Sequence, residues 1–226
     1  MNDRVVVTGD GCVSALGRGV EETLRALYAG HVQPPDPGRI PSLVTSPPPV
    51  FHVDADVEGL GGPRAKRTVR LALCAAREAL DTSWSGPPRV PAERIGVCLG
   101  TTVGCTFDDE PFYRAFRAGG SPDPVSIARF LANDLSHVVA ETHGFLGPTA
   151  TVVNACASGT DAVGEGAAWI RSGRCDLVLA GGADALARFP YLGFVALKNT
   201  SRERCRPFDR DRKGLNLGEG AAVFVL

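Results

Sequence analysis

Seven cysteines and four histidines hold the widest chemical range in this 226-residue chain, and one cysteine stands apart by its setting. Cys156 lies in Asn154-Ala155-Cys156-Ala157-Ser158-Gly159, between the apolar run Thr151-Val152-Val153 and a segment rich in small residues. A strand that turns sharply into a helix thrusts its central side chain off the sheet edge, the geometry of a nucleophile elbow. Ala155, Ala157 and Gly159 are small, as such a turn demands. The helix that follows would point its positive N-terminal end at the thiol and favour the thiolate. Its exposed amides could also hold an oxyanion after attack on a thioester. The chemistry such a turn would support is nucleophilic attack by the Cys156 thiolate. Spacing alone leaves an inert cysteine buried at a helix start equally open, since free cysteine is commonly buried.

The remaining candidates are weaker. Cys12, Cys74, Cys98, Cys105, Cys175 and Cys205 are irregularly spaced and include no Cys-x-x-Cys. A zinc site or redox dithiol is therefore not expected, and these six read as small buried hydrophobes in a reducing compartment. His143, before Gly144, reads as a helix-end residue facing the dipole or solvent, and His137 as a partly buried side chain of the same helix. His31 and His52 sit in or beside loops without a recognisable partner pattern. Asp108-Asp109-Glu110 has no histidine nearby and reads as a solvated loop rather than a metal site. No Gly-x-Gly-x-x-Gly follows a strand and no phosphate loop occurs, so neither a bound cofactor nor a metal is expected.

A net charge of −1 argues against a nucleic-acid or anionic-membrane footprint, which needs clustered excess positive charge. No apolar run reaches bilayer length. Met1-Asn2-Asp3-Arg4 leads straight into Val5-Val6-Val7, unlike a signal or transit peptide, and a cytoplasmic, soluble protein is expected.

The elements that would position Cys156 alternate along the chain. Val5-Val6-Val7, closed by Thr8-Gly9, predicts a first strand, and Glu21 to Ala29, stopped by Gly30, a short amphipathic helix. Pro34 to Pro49 holds seven of the 17 prolines and reads as a surface excursion outside the core. Ala65, Val69, Ala72, Leu73, Ala76, Ala79 and Leu80 form one stripe on a helix from about Arg64 to Leu80. Arg94 to Gly100 predicts the second strand, Ile127 to His143 a helix ended by Gly144, and Thr149 to Asn154 the third strand. Ser158 to Ile170 predicts a helix burying Ala162, Val163, Gly166, Ala167 and Ile170. Asp176 to Ala180 and Ala221 to Leu226 predict strands four and five. Strands separated by helices imply crossovers, hence an α/β fold with a mixed, mostly parallel five-stranded sheet and helices on both faces.

Several motifs in fixed order carry a family resemblance. Arg4-Val5-Val6-Val7-Thr8-Gly9, the Gly144 to Pro148 segment, Thr151 to Gly159, Asp176 to Asp184, Arg206-Pro207-Phe208-Asp209 and Gly218-Glu219-Gly220-Ala221 resemble the beta-ketoacyl-acyl carrier protein synthases, best their elongating class and polyketide relatives. The resemblance spans essentially the whole chain. It implies the thiolase-like fold, with residues 1–226 forming the N-terminal domain of two similar halves. It implies that Cys156 takes an acyl group as a thioester from the phosphopantetheine of an acyl carrier protein. A carrier-bound malonyl unit would then be decarboxylated and attack that thioester, in fatty acid or polyketide biosynthesis. The two histidines that assist this step belong to the second half, and no His-Gly-Thr occurs here. A separate C-terminal half or ketosynthase partner is therefore expected to supply them. The resemblance also implies a homo- or heterodimer through the strand Thr149 to Asn154, with pairing inside its own sheet alone as the alternative. An aromatic residue of the family, associated with gating, is replaced by Leu215.

Arg202, Arg204, Arg206, Arg210, Arg212 and Lys213 crowd one stretch with Glu203, Asp209 and Asp211. Such a stretch could steer an acidic carrier protein, or its charges could mostly pair among themselves. Two other functions stay open. A half-fold could be a non-catalytic ketosynthase-like interaction protein, or a truncated or decayed product, that binds a ketosynthase or carrier protein. A cysteine acyltransferase or thioesterase without condensation would need a base that no histidine here is placed to provide.

Overall fold

Ile95–Gly100 is buried at every position and forms the strand around which the other elements are arranged. The computed structural model describes residues 4–31, 36, 40, 45–54, 57, 59–62, 65–84, 89–104, 110–125, 127–128 and 134–226. In chain order the regular elements are β1 (Gly9–Ser14), β2 (Gly17–Arg18), α1 (Val20–Tyr28), β3 (Val50–Phe51) and α2 (Arg67–Ser83). They continue with β4 (Ile95–Gly100), α3 (Glu110–Arg117), α4 (Leu135–His143), β5 (Thr149–Val152) and α5 (Ser158–Arg171). β6 (Leu177–Asp184), α6 (Arg188–Ala196), β7 (Leu217–Gly218) and β8 (Gly220–Val225) complete them.

The main sheet has six strands in the order β2-β1-β8-β6-β4-β5, and β3 and β7 form a separate parallel pair. The α/β class and the helices on both faces are as expected, but among the described residues the main sheet has six strands rather than five, and three of its five neighbouring pairs are antiparallel rather than most being parallel. β4 runs parallel to β5 and β6, whereas β8 runs antiparallel to both β6 and β1. Strand–helix alternation cannot reveal this, because it does not say where the last strand inserts or in which direction.

Side-chain alternation divides the core in two. Ile95, Val97, Leu99, Leu177, Leu179, Val223 and Val225 face α2 and α4, whereas Cys98, Val178 and Ala180 face α5. The predicted α2 stripe is buried apart from the half-buried Leu80, on a helix that starts at Arg67 rather than Arg64, and Thr68, Leu71, Cys74 and Ala75 are buried as well, so this helix is enclosed on most sides. Full burial of a residue such as Leu71 contributes about 1.5–3 kcal/mol.

Several expectations are corrected; β5 ends at Val152 rather than Asn154, and β6 runs from Leu177 to Asp184 rather than from Asp176 to Ala180. The first strand starts at Gly9, not at Val5-Val6-Val7, because its ladder with β8 opens at Gly9↔Val225; Val6 and Val7 are exposed. The helix expected over Ile127 to His143 is interrupted: Ile127 and Ala128 are helical, but Asp134 leaves helical geometry and accepts from the His137 amide as the cap of α4, which begins at Leu135. Gly144 ends it in the left-handed conformation, as its glycine predicted. The proline-rich stretch lies partly outside the described residues. Its described Ile40, Pro48 and Pro49 are buried, Tyr191 Oη donates to the Pro48 carbonyl at 3.0 Å, and Ile40, Val50 and Tyr191 form a small satellite core. This end is therefore packed rather than a surface excursion.

Candidate active site around Cys156

β5 delivers the chain to a tight turn. After Val152 the backbone leaves the ladder, Asn154 turns (φ −137°, ψ 50°), and Ala155 takes φ 47° at the start of a 3-10 turn over Ala155–Ala157. A residue other than glycine in that region costs on the order of 1–3 kcal/mol and persists only where its surroundings enforce it. Here Ser158 clasps the turn: its hydroxyl donates to the Ala155 carbonyl at 2.6 Å and accepts from the Asn154 amide at 2.7 Å. Asn154 Nδ2 adds a 2.6 Å bond to Asp161 Oδ2 in the first turn of α5. The expected elbow is thus formed, with Cys156 exposed at its tip.

The turn sits close on the sheet because glycine lies beneath it. A Cβ on Gly100 would come 2.2 Å from the Ser158 carbonyl carbon, so a side chain at the end of β4 would push the start of α5 away. The result is an open hollow of about 300 Å³ in which Cys156 shares its walls with Thr101, Thr102, Asp184 and the Gly220–Ala222 backbone. Ala157, the helix cap, brings no side-chain oxygen to the first amides of α5. An exposed thiol at a helix start beside an open hollow can attack a carbonyl carbon, with backbone amides at hand for the oxyanion.

The other cysteines contrast with it. Cys74, Cys98 and Cys175 are buried, and burial pushes their thiols up, Cys98 to about 11 with Glu165 adding to the effect. Cys12, half-buried, is also raised by burial, and Cys205 is half-buried. Cys105, like Asp108 and Asp109, lies outside the described residues. Glu110, the remaining member of that acidic cluster, pairs with Arg114 and Arg188 at 2.6 Å each.

No histidine lines the hollow among the described residues. His143 ends α4, on the opposite face of the sheet from α5, and stacks on Phe145 with centroids 5.6 Å apart. Burial, then Arg77, holds its imidazole below the usual value, against a smaller opposing effect of Asp81. It is a helix-end residue as expected, though half-buried. His137 is exposed rather than partly buried, His31 is exposed, and His52 contacts Asp54 at 2.5 Å. The described residues contain no cluster of three or more residues able to hold a metal, and no helix long and apolar enough to cross a membrane.

Two supports of the site went unread in the sequence. Glu219 is buried, its carboxylate bound by Arg67 and by the amides of Val53 (2.9 Å) and Leu186 (3.1 Å). Burial alone would raise this carboxyl, but the Arg67 and amide bonds outweigh it and hold it below the usual range. The clamp joins α2 to the strand end whose next residues, Gly220 to Ala222, floor the hollow. Gly218-Glu219-Gly220 was visible as a motif; nothing local pointed to Arg67, which is 152 residues away. The second support is Asp184, bonded to Thr101 and Thr102. A glycine and two threonines closing a fully apolar strand were the only available signal.

Residues 2–226 match the family described as beta-ketoacyl synthase, N-terminal domain. The chain belongs to the beta-ketoacyl synthases. It is 36% identical over 247 residues to the tetracenomycin polyketide synthase ketoacyl synthase alpha subunit of Streptomyces glaucescens, covering 99% of this chain and 57% of the relative. It is 29% identical over 241 residues to 3-oxoacyl-[acyl-carrier-protein] synthase 2 of Staphylococcus aureus, covering 100% of this chain and 58% of the relative. Among solved structures, the ishigamide ketosynthase/chain length factor superposes with a TM-score of 0.86 at 32% identity, over 97% of this chain and 57% of that one. The chain thus spans a little over half the length of the ketosynthases it matches, and its fold is the thiolase-like fold of those ketosynthases.

Proposed function

We propose that Cys156 is the acyl-accepting nucleophile of a ketosynthase. Its thiolate attacks the carbonyl carbon of a carrier-bound thioester, the carrier's phosphopantetheine thiol leaves, and an acyl-cysteine remains. The observation that carries this reading is the exposed thiol at a strained strand-to-helix turn that opens on a hollow. Condensation with a decarboxylated malonyl unit needs groups this hollow does not hold among its described residues, histidines above all. A C-terminal half or ketosynthase partner supplies them in this reading, and residues 1–226 act as the N-terminal domain. The outer edge of β5, the last strand of the sheet among the described residues, is where a second subunit would add, homologous or not.

An acyl carrier protein is the proposed donor, met by the basic stretch. Part of that stretch is internally paired: Lys213 binds Glu203 at 2.6 Å, and Arg206 reaches Asp209 at 3.4 Å and the Asp211 carbonyl at 3.0 Å. Arg202, Arg204 and Arg210 are exposed and face solvent, and they are the cations left to steer an acidic partner.

The test is the intact mass of the protein after incubation with an acyl thioester. A mass increase of one acyl group that is absent in Cys156→Ala supports the reading. No adduct in folded protein sinks it and favours a non-catalytic interaction protein, the alternative that the histidine-free hollow supports.

A further inference from the structure

Asp184, at the last position of β6, brings the one charged side chain among the described residues lining the Cys156 hollow. Both of its oxygens are taken up by the loop leaving β4. Oδ1 accepts from the Thr101 hydroxyl at 2.8 Å and the Thr102 amide at 2.9 Å, and Oδ2 accepts from the Thr102 hydroxyl at 2.8 Å. The Gly104 amide donates in turn to Thr101 Oγ1 at 3.1 Å, and Thr101 is 2% exposed. The sheet does not need this carboxylate for its register, because β4 and β6 are already paired along their length, up to Gly100↔Gly182. What the three bonds fix is where Thr101 and Thr102 stand beside the thiol.

We infer that Asp184 is a positioning residue: it holds the Thr101–Thr102 wall of the hollow and thereby sets the length of chain that Cys156 can accept. Its functional meaning rests on the reading of Cys156 as acyl acceptor, but the wall itself can be probed without acyl transfer. A charged carboxylate accepting three bonds from one short loop holds it more tightly than neutral contacts would. With those bonds removed, Thr101 and Thr102 are free to move and the hollow admits longer chains.

The experiment compares N-ethylmaleimide with N-octylmaleimide on the full chain, following the Cys156 adduct by peptide mapping in wild type, Asp184→Ala, Asp184→Asn and Thr102→Val. The short reagent is expected to react within about twofold of wild type in every variant, because the thiol stays exposed at an intact elbow. The octyl-to-ethyl rate ratio is expected to rise about fivefold or more in Asp184→Ala, in line with how steeply apolar walls discriminate chain length. Thr102→Val removes one hydroxyl donor and leaves the carboxylate, and a smaller rise is expected; Asp184→Asn, which keeps an acceptor oxygen, falls between. Should Asp184→Ala fail to fold, Thr102→Val carries the comparison. An unchanged ratio in the folded variants overturns the inference, and so does an equal rise for both reagents, which would mean a loosened elbow rather than a moved wall. A wild-type protein that shows the length discrimination yet takes no acyl group from a thioester would sink the acyl-acceptor reading and leave the wall standing.

Discussion

The two faces of the sheet differ in how completely they are covered. On one, α2 and α4 enclose the strands, and Val69, Leu71, Ala72, Ala75, Ala76 and Ala79 of α2 are fully buried. On the other, α5 covers β4 and β6, while Ala222 and Phe224 of β8 remain exposed, Ala222 in the wall of the Cys156 hollow. The closed face is where burial accumulates; the open face is where a thiol and apolar surface meet solvent together. Most of the burial thus lies on one side of the strands and the exposed thiol on the other, with Ala183 and Ala221 shared between the closed core and the hollow.

Changes that strike the clamp should have the largest effect on stability, because removing the buried carboxylate leaves the half-buried Arg67 guanidinium and the Val53 and Leu186 amides without their charged acceptor. Glu219→Gln is expected to cost about 3–5 kcal/mol, read as a lowered urea midpoint at neutral pH. The sign with pH follows from the depressed carboxyl of Glu219. Its contribution is complete above the ordinary carboxylate range and is lost as pH falls through the lower folded value. The gap between wild type and variant should therefore close on acidification, and a gap independent of pH would contradict the ion pair as its source.

Leu71→Ala comes next, with an expected loss of about 2–5 kcal/mol from the cavity it leaves on the closed face. In the fraction that stays folded, Cys156 should alkylate at the wild-type rate. A changed rate would mean that the two faces are coupled more tightly than the division of the core suggests.

Gly100→Ala is smaller in stability but larger at the site. The added methyl must displace the start of α5, an overpacking cost of about 1–3 kcal/mol, with the reactivity of Cys156 altered alongside it. The smallest effect belongs to the exposed basic stretch. Lys213→Ala removes the solvent-exposed pair with Glu203 and should leave the unfolding midpoint unchanged, while charge reversal at Arg202, Arg204 and Arg210 should weaken salt-dependent binding of an acyl carrier protein.

Much of the candidate site was legible before the fold was known. Small residues around Cys156, a valine run before it and a glycine-punctuated helix after it state a strand-to-helix turn, and the turn is there. Gly30 and Gly144 marked helix ends because few other residues accept the left-handed conformation found at both. Val5-Val6-Val7 misled for a definite reason. β-branched residues favour a strand, but a strand also requires a partner, and the ladder with β8 begins only at Gly9. His137 misled for another: the face a residue presents depends on where its helix begins, and the Asp134 cap placed that start later than the apolar pattern did.

The sequence by itself determined the family and the α/β class and singled out Cys156 at its turn, because these depend on local chemistry: residue size at a turn, apolar periodicity and motifs in a fixed order. Only the tertiary structure decided that β8 returns antiparallel between β1 and β6, that Arg67 reaches Glu219, and that Asp184 holds Thr101 and Thr102 beside Cys156. Those are contacts between residues far apart in the chain, 83 positions for Thr101 and Asp184, and they exist only once burial has brought the strands into register.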